Sequence, residues 1–66
     1  MDRIDRNILA QLQADGRLSV TELAERVGLS LSPCHRRVRA LEESGVILGY
    51  RALLAPSELG LNFSAM

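Results

Sequence analysis

Three of the chain's eight arginines and its only histidine fall within five positions, as His35, Arg36, Arg37 and Arg39. All eight basic residues are arginine and none is lysine. A guanidinium presents a planar fork of donors that matches a phosphate or a guanine edge in a way an ammonium does not. The hydroxyls of Ser30 and Ser32 lie just upstream, separated from the cations by Pro33 and Cys34, and no carboxylate occurs from Ser30 to Leu41. Cations and small polar groups on one short stretch, free of acids, can bind a polyanion. The plainer alternative is a solvated helix face whose charges do nothing but keep the surface wet.

Other reactive groups point to little chemistry. Asp2 and Asp5 are spaced like a carboxylate pair, but at the start of a helical pattern they serve as cap and dipole partner. Cys34 and His35 are adjacent and have no spaced companions, so they form no metal cage. Cys34 falls on an apolar stripe, which makes it a small buried core residue. One cysteine also excludes an internal disulfide.

The stretch that carries the cations must be a helix for them to share a face. Leu31, Cys34, Val38 and Leu41 recur at steps of three, four and three, which places them on one side of an α-helix. Ser32, Pro33, Arg36 and Ala40 then fall on the other side, with Arg37, Arg39 and Glu43 beside them. The helix begins at Ser30 or Ser32; with either as cap, Pro33 sits in the first turn, where its missing N–H is not needed. It ends at Gly45. Arg39 is spaced to pair with Glu42 or Glu43, one turn on.

Two earlier helices are expected. Asp2 to Asp15 carries the stripe Ile4, Ile8, Leu9 and Leu12, with Arg6 spaced to pair with Asp2 and Gly16 as a left-handed terminator. Ser19-Val20-Thr21-Glu22 is a capping box. It opens a helix that buries Leu23, Ala24 and Val27 and ends at Gly28, with Glu22 and Arg26 paired outside. Gly28-Leu29-Ser30 is then a tight turn between two amphipathic helices, which forces them to cross steeply.

Beyond Gly45 the period changes. Val46 to Leu48 is expected to pack on the helices. Tyr50, Arg51, Ala52, Leu53 and Leu54 read as a strand. A lone strand needs a neighbour, and the chain offers no second strong one, so a partner chain is expected to supply it. Ala55 to Gly60 is a break or a short helical turn. Leu61 to Met66 starts an apolar run that stops at once, as though a larger unit began there. Arg51 and Arg17 are further candidates for a phosphate backbone.

With 66 residues and zero formal net charge, the chain is one small domain of marginal core, without a global basic signature. Its charged N-terminus is no signal peptide, and no apolar run approaches the roughly 20 residues that span a bilayer. A cytoplasmic location is expected.

The pieces DRIDRNILAQLQADGRLSVTELAERVGLS, SPCHRRVRALEESGVILGYRALLAP and ELG together resemble the Lrp/AsnC (feast/famine) transcription regulators. The resemblance covers essentially the whole chain. It implies a mainly α fold: a three-helix winged helix-turn-helix domain at residues 1–49, followed by a short β-strand linker at 50–60. Residues 61–66 would be the start of an αβ effector domain. It further implies sequence-specific binding of double-stranded DNA, with the third helix, about 30–44, in the major groove. On this reading Ser30, Ser32, Pro33, His35, Arg36, Arg37 and Arg39 form the DNA-binding set. His35 and Arg36 would set base preference, and Arg37 would be a shared phosphate contact. Tyr50 to Leu54 would pair with its mate in a homodimer on a palindromic site. No cofactor is expected in this chain, and an amino-acid effector would belong to the effector domain. Two other functions compete. Siroheme decarboxylases look like this family, but a single histidine and an intact basic helix argue against enzymatic activity. A winged helix used only for protein contacts would expose an apolar third helix, and this one is arginine-rich.

Overall fold

A computed structural model describes residues 1–59, with side chains to residue 57. Three helices make the body: α1 at Arg3–Ala14, α2 at Val20–Val27 and α3 at Leu31–Glu43. A single helical turn, α4, follows at Pro56–Leu59.

Each helix starts for a local reason. The Asp2 carboxylate caps α1 by accepting the Asp5 N–H at 2.9 Å. The capping box of α2 is complete: Ser19 Oγ accepts the Glu22 N–H at 3.1 Å, and Glu22 Oε1 accepts the Ser19 N–H at 3.0 Å. Helix α3 begins after Ser30, and Pro33 is its third residue.

Helix ends follow two patterns. Gly28 adopts φ 75° after α2, which lets the Leu29 N–H reach Ala24 O at 2.9 Å and turns the chain toward α3. Gly45 adopts φ 86° after α3, and the Ile47 N–H returns to Leu41 O at 3.1 Å. Gly16, expected to be left-handed, is not. Asp15 leaves α1 in an extended conformation instead, and its carboxylate accepts the Arg17 N–H at 3.0 Å. That side-chain turn ends the helix without a positive φ.

The core is where the three stripes meet. Ile8, Leu23, Ala24, Cys34, Val38 and Leu41 are buried, with Ile4, Leu9, Leu12, Leu18, Val20, Val27, Leu29 and Ile47 packed around them. Leu31 departs from the expected stripe. It is 52% exposed, as the first residue of α3, with no preceding helical turn to shelter it. Among the described residues after α3 only Ile47 packs against the core, while Val46 is 45% and Leu48 95% exposed.

No strand forms among the described residues, so the expected strand at Tyr50–Leu54 is irregular chain without a ladder. The physical reason is the one anticipated: the described residues contain no second extended segment to hydrogen-bond with it. Residues 61–66, expected to open a further domain, lie outside the described residues.

Candidate nucleic-acid interface

The turn between α2 and α3 fixes which side of α3 meets the core. Cys34, Val38 and Leu41 are buried, so the opposite side is left to solvent. Ser32, His35, Arg36, Arg39 and Ala40 are all exposed there, and Ser30 is exposed at its N-terminal end. Pro33 is half-buried at the edge. The expected set is therefore brought together on one face, with two refinements.

The first concerns Ser30. A serine cap commonly bonds the N–H of the third helical residue. Here that residue is Pro33, which has none, and Ser30 makes no side-chain cap bond. Its hydroxyl is thus left without a cap bond on an exposed residue, close in sequence to the exposed Ser32. A helix N-terminus of this kind favours an anion.

The second concerns Arg37, whose side chain is only one-third exposed and turned toward α1. Its Nη1 donates to Asp2 Oδ1 at 3.1 Å and Oδ2 at 2.9 Å, and to Asp5 Oδ1 at 3.1 Å. The Asp5 N–H and the guanidinium together hold the Asp2 carboxyl below the usual carboxylate range. The two carboxylates in turn raise the guanidinium still further. Arg37 therefore stands apart from the solvent face on which Arg36 and Arg39 lie. Asp2 takes Arg37 as its ion-pair partner, not the expected Arg6.

Arg36 makes no ion pair among the described residues, and its donors are uncommitted. Arg39 has one distant partner, Glu43 Oε2 at 3.9 Å, with both side chains mostly exposed. A pair so placed is worth little and gives way readily. The expected Glu22–Arg26 pair is also rearranged: Glu22 is occupied by its capping box, and Arg26 Nη1 reaches Gln11 Oε1 at 3.4 Å.

Leu31 is a residue that sequence reasoning assigned to the core and the structure places at the rim of this face. Its signal was position, since the first residue of a helix has no preceding turn to shelter it.

The hollow between α1 and residues 46–50, about 430 Å³, is lined by Leu9, Leu12, Val46, Ile47 and Leu48. Gln13 and Tyr50 bring its only polar side chains, so nothing converges there to do acid–base work. No helix among the described residues is long and apolar enough to cross a membrane.

Residues 1–47 match the family described as winged helix-turn-helix DNA-binding. The chain is 62% identical over 65 residues to the leucine-responsive regulatory protein of Rhizobium meliloti (strain 1021), covering 98% of this chain and 42% of that protein. The AsnC family transcriptional regulator from Agrobacterium tumefaciens superposes with TM-score 0.84 at 52% identity, covering 89% of this chain and 39% of that one. A transcriptional regulator from Neisseria meningitidis, solved in complex with L-Met, gives TM-score 0.85 at 49% identity, covering 89% of this chain and 38% of that one. The chain thus spans about two-fifths of the length of the relatives it matches. All three relatives are regulators by name, and the enzymatic alternative finds no support among them.

Proposed function

This chain belongs to the winged helix-turn-helix DNA-binding family, in its Lrp/AsnC branch, and we propose that it reads double-stranded DNA with α3 as part of a dimeric regulator of transcription. The observation that carries this reading is the division of α3. Its apolar side is consumed by the core, and its other side offers Ser32, His35, Arg36 and Arg39 with no carboxylate before Glu42.

The roles follow from reach and geometry. Arg36, uncommitted and central, pairs with guanine O6 and N7, a contact worth roughly 1–3 kcal/mol of discrimination. Ser32 and His35 reach a base edge or a phosphate beside it. Ser30 and the first-turn N–H groups take a phosphate and, with Pro33 at the rim, set the register of the helix. Arg39 exchanges Glu43 for a second phosphate. Positioning contacts and reading contacts thus come from one helix.

The homodimer is supported by residues 50–54, where Leu53 is 94% and Leu54 59% exposed on a segment that no helix claims. Pairing Tyr50, Arg51, Ala52, Leu53 and Leu54 with the same segment of a second copy would satisfy both backbones. Two-fold symmetry then calls for a palindromic site with half-sites about one helical turn apart. The protein works in the cytoplasm, and this chain needs no cofactor. An amino-acid effector, of the kind named with the Neisseria relative, acts on the effector portion of the whole protein.

The test is fluorescence anisotropy on a duplex selected from a random pool by the protein itself, with Arg36→Ala and Arg39→Ala, across a salt series. Binding should weaken steeply with salt, and Arg39→Ala should lower the log–log slope by about 0.9. Arg36→Ala should flatten the preference at one base pair. A folded wild-type chain that shows no salt-sensitive binding would refute the reading.

A further inference from the structure

Resting on that reading, we infer that Arg37 is a positioning residue: held by Asp2 and Asp5, it sets how α3 is presented to DNA without itself touching a phosphate.

The geometry separates Arg37 from its neighbours on α3. Arg36 and Arg39 are exposed and Arg37 is half-buried toward α1. One terminal nitrogen, Nη1, lies within 3.1 Å of three oxygens on two carboxylates. The tie spans 35 positions in sequence to Asp2 and 32 to Asp5. It therefore links the first turn of α1 to the middle of α3, directly beside the buried Val38.

Asp2 does two things at once. Its Oδ1 caps α1 through the Asp5 N–H and also accepts from Arg37. The start of α1 and the pitch of α3 are thereby set by the same carboxylate. The local charge balance also argues against phosphate. Asp2 and Asp5 offset the Arg37 guanidinium and the N-terminal ammonium near Asp2, so the position carries no surplus positive charge to attract an anion. At Arg37 a phosphate would meet a guanidinium whose Nη1 is already held by two carboxylates, whereas Arg36 has no ion-pair partner among the described residues and Arg39 only the distant Glu43.

Positioning and phosphate contact leave different marks. A phosphate contact contributes equally to specific and non-specific binding, because backbone contacts carry no sequence information. Loss of positioning harms only the specific mode, in which base edges must be met in register.

The experiment compares wild type, Arg37→Gln, Arg37→Asp and the exchange Asp5→Arg/Arg37→Asp. Anisotropy is measured on the selected duplex and on a scrambled duplex across salt, with thermal melts run in parallel. The exchange keeps the total charge and the opposition between positions 5 and 37, yet it removes the cation from position 37 and sets a carboxylate there beside Asp2. Arg37→Gln should weaken specific binding about tenfold, the scale of one lost base contact, with non-specific binding and salt slope unchanged. The exchange should restore part of what Arg37→Asp loses, since only the position 5–37 pair is rebuilt, and it remains informative even where Arg37→Asp fails to fold. Equal losses on both duplexes, a slope lower by about 0.9, and no recovery in the exchange would overturn the inference and make Arg37 a phosphate ligand. Absence of salt-sensitive binding by wild type is a separate result, and it would overturn the DNA reading from which the inference proceeds.

Discussion

The Tyr50 hydroxyl donates to Glu42 Oε2 at 2.9 Å, so the chain leaving α3 is tied back to that helix's last turn. The bond closes a loop over Gly45, whose positive φ reverses the chain, and over Ile47, which is the one residue of this segment that packs inward. Partial burial, and then the Glu42 carboxylate, raise the phenol above its ordinary value.

Tyr50 is the only tyrosine, so its ultraviolet titration is free of overlap. Its pKa should lie above the usual 10 or so, and Glu42→Gln should bring it part of the way back. A phenol whose folded pKa is raised contributes stability that is whole below its unfolded value and is lost as pH rises through the folded one. Tyr50→Phe should therefore flatten the alkaline end of the stability curve, while costing less than about 1 kcal/mol at neutral pH, as befits a half-exposed bond. An unshifted phenol would show that the tie does not persist in solution.

The acid end should be governed by capping carboxylates. Asp2 is held low by the Asp5 N–H and then by Arg37. Glu22 is held low by the Ser19 N–H. Depressed folded values mean that their stabilisation is complete above the unfolded pKa of about 4 and is lost as pH falls through the folded ones. Urea midpoints measured downward from pH 6 should drop in wild type and drop less in Asp2→Asn/Glu22→Gln. Parallel curves would mean that other carboxyls carry the acid response.

What could be read in advance was whatever lies within one turn of itself. The Ser19–Glu22 box, the breaks at Gly28 and Gly45, and the buried Cys34, Val38 and Leu41 all follow from spacing and residue type. The Asp2–Arg37 tie could not, because residues 35 apart meet only once the helices are packed. Arg6 and Arg26 had nearer candidates by spacing, yet tertiary packing took Asp2 to Arg37 and sent Arg26 to Gln11. Gly16 had the right residue type, but the Asp15 side chain ended α1 first. A strand at 50–54 depends on a neighbour, and no property of these five residues alone can supply one. On the solvent side of α3, the exposed arginines were legible as a group, while the separation of Arg37 from Arg36 required knowing where α1 lies.

Position on the stripe should separate Leu31 from Val38. Both fit the helical period, but Leu31 is 52% exposed and Val38 only 7%. Val38→Ala should cost roughly 1–3 kcal/mol through lost burial and the hole left behind. In a domain whose whole stability is on the order of 5 kcal/mol, that is a large share of the total and should lower the urea midpoint clearly. Leu31→Ala should change the urea midpoint very little, within about 0.5 kcal/mol. Equal losses would place Leu31 in the core after all.

Gly28 isolates a backbone effect from a packing effect. It sits at φ 75°, where a Cβ is disfavoured, and yet a Cβ built there would meet nothing within 4 Å. Gly28→Ala should therefore destabilise by about 1 kcal/mol through left-handed strain alone. Gly28→Asn should cost less, because asparagine tolerates this region. The turn connects α2 to α3, so the strain has two outlets. The chain can keep its turn and lose stability, or shift the turn and move α3. Chemical denaturation reports the first, and the ratio of specific to scrambled-duplex affinity reports the second. Because no side chain crowds the site, the expected outcome is the first: a lower urea midpoint for Gly28→Ala with sequence preference intact. A fall in preference at unchanged stability would mean that the turn yields before the helices do.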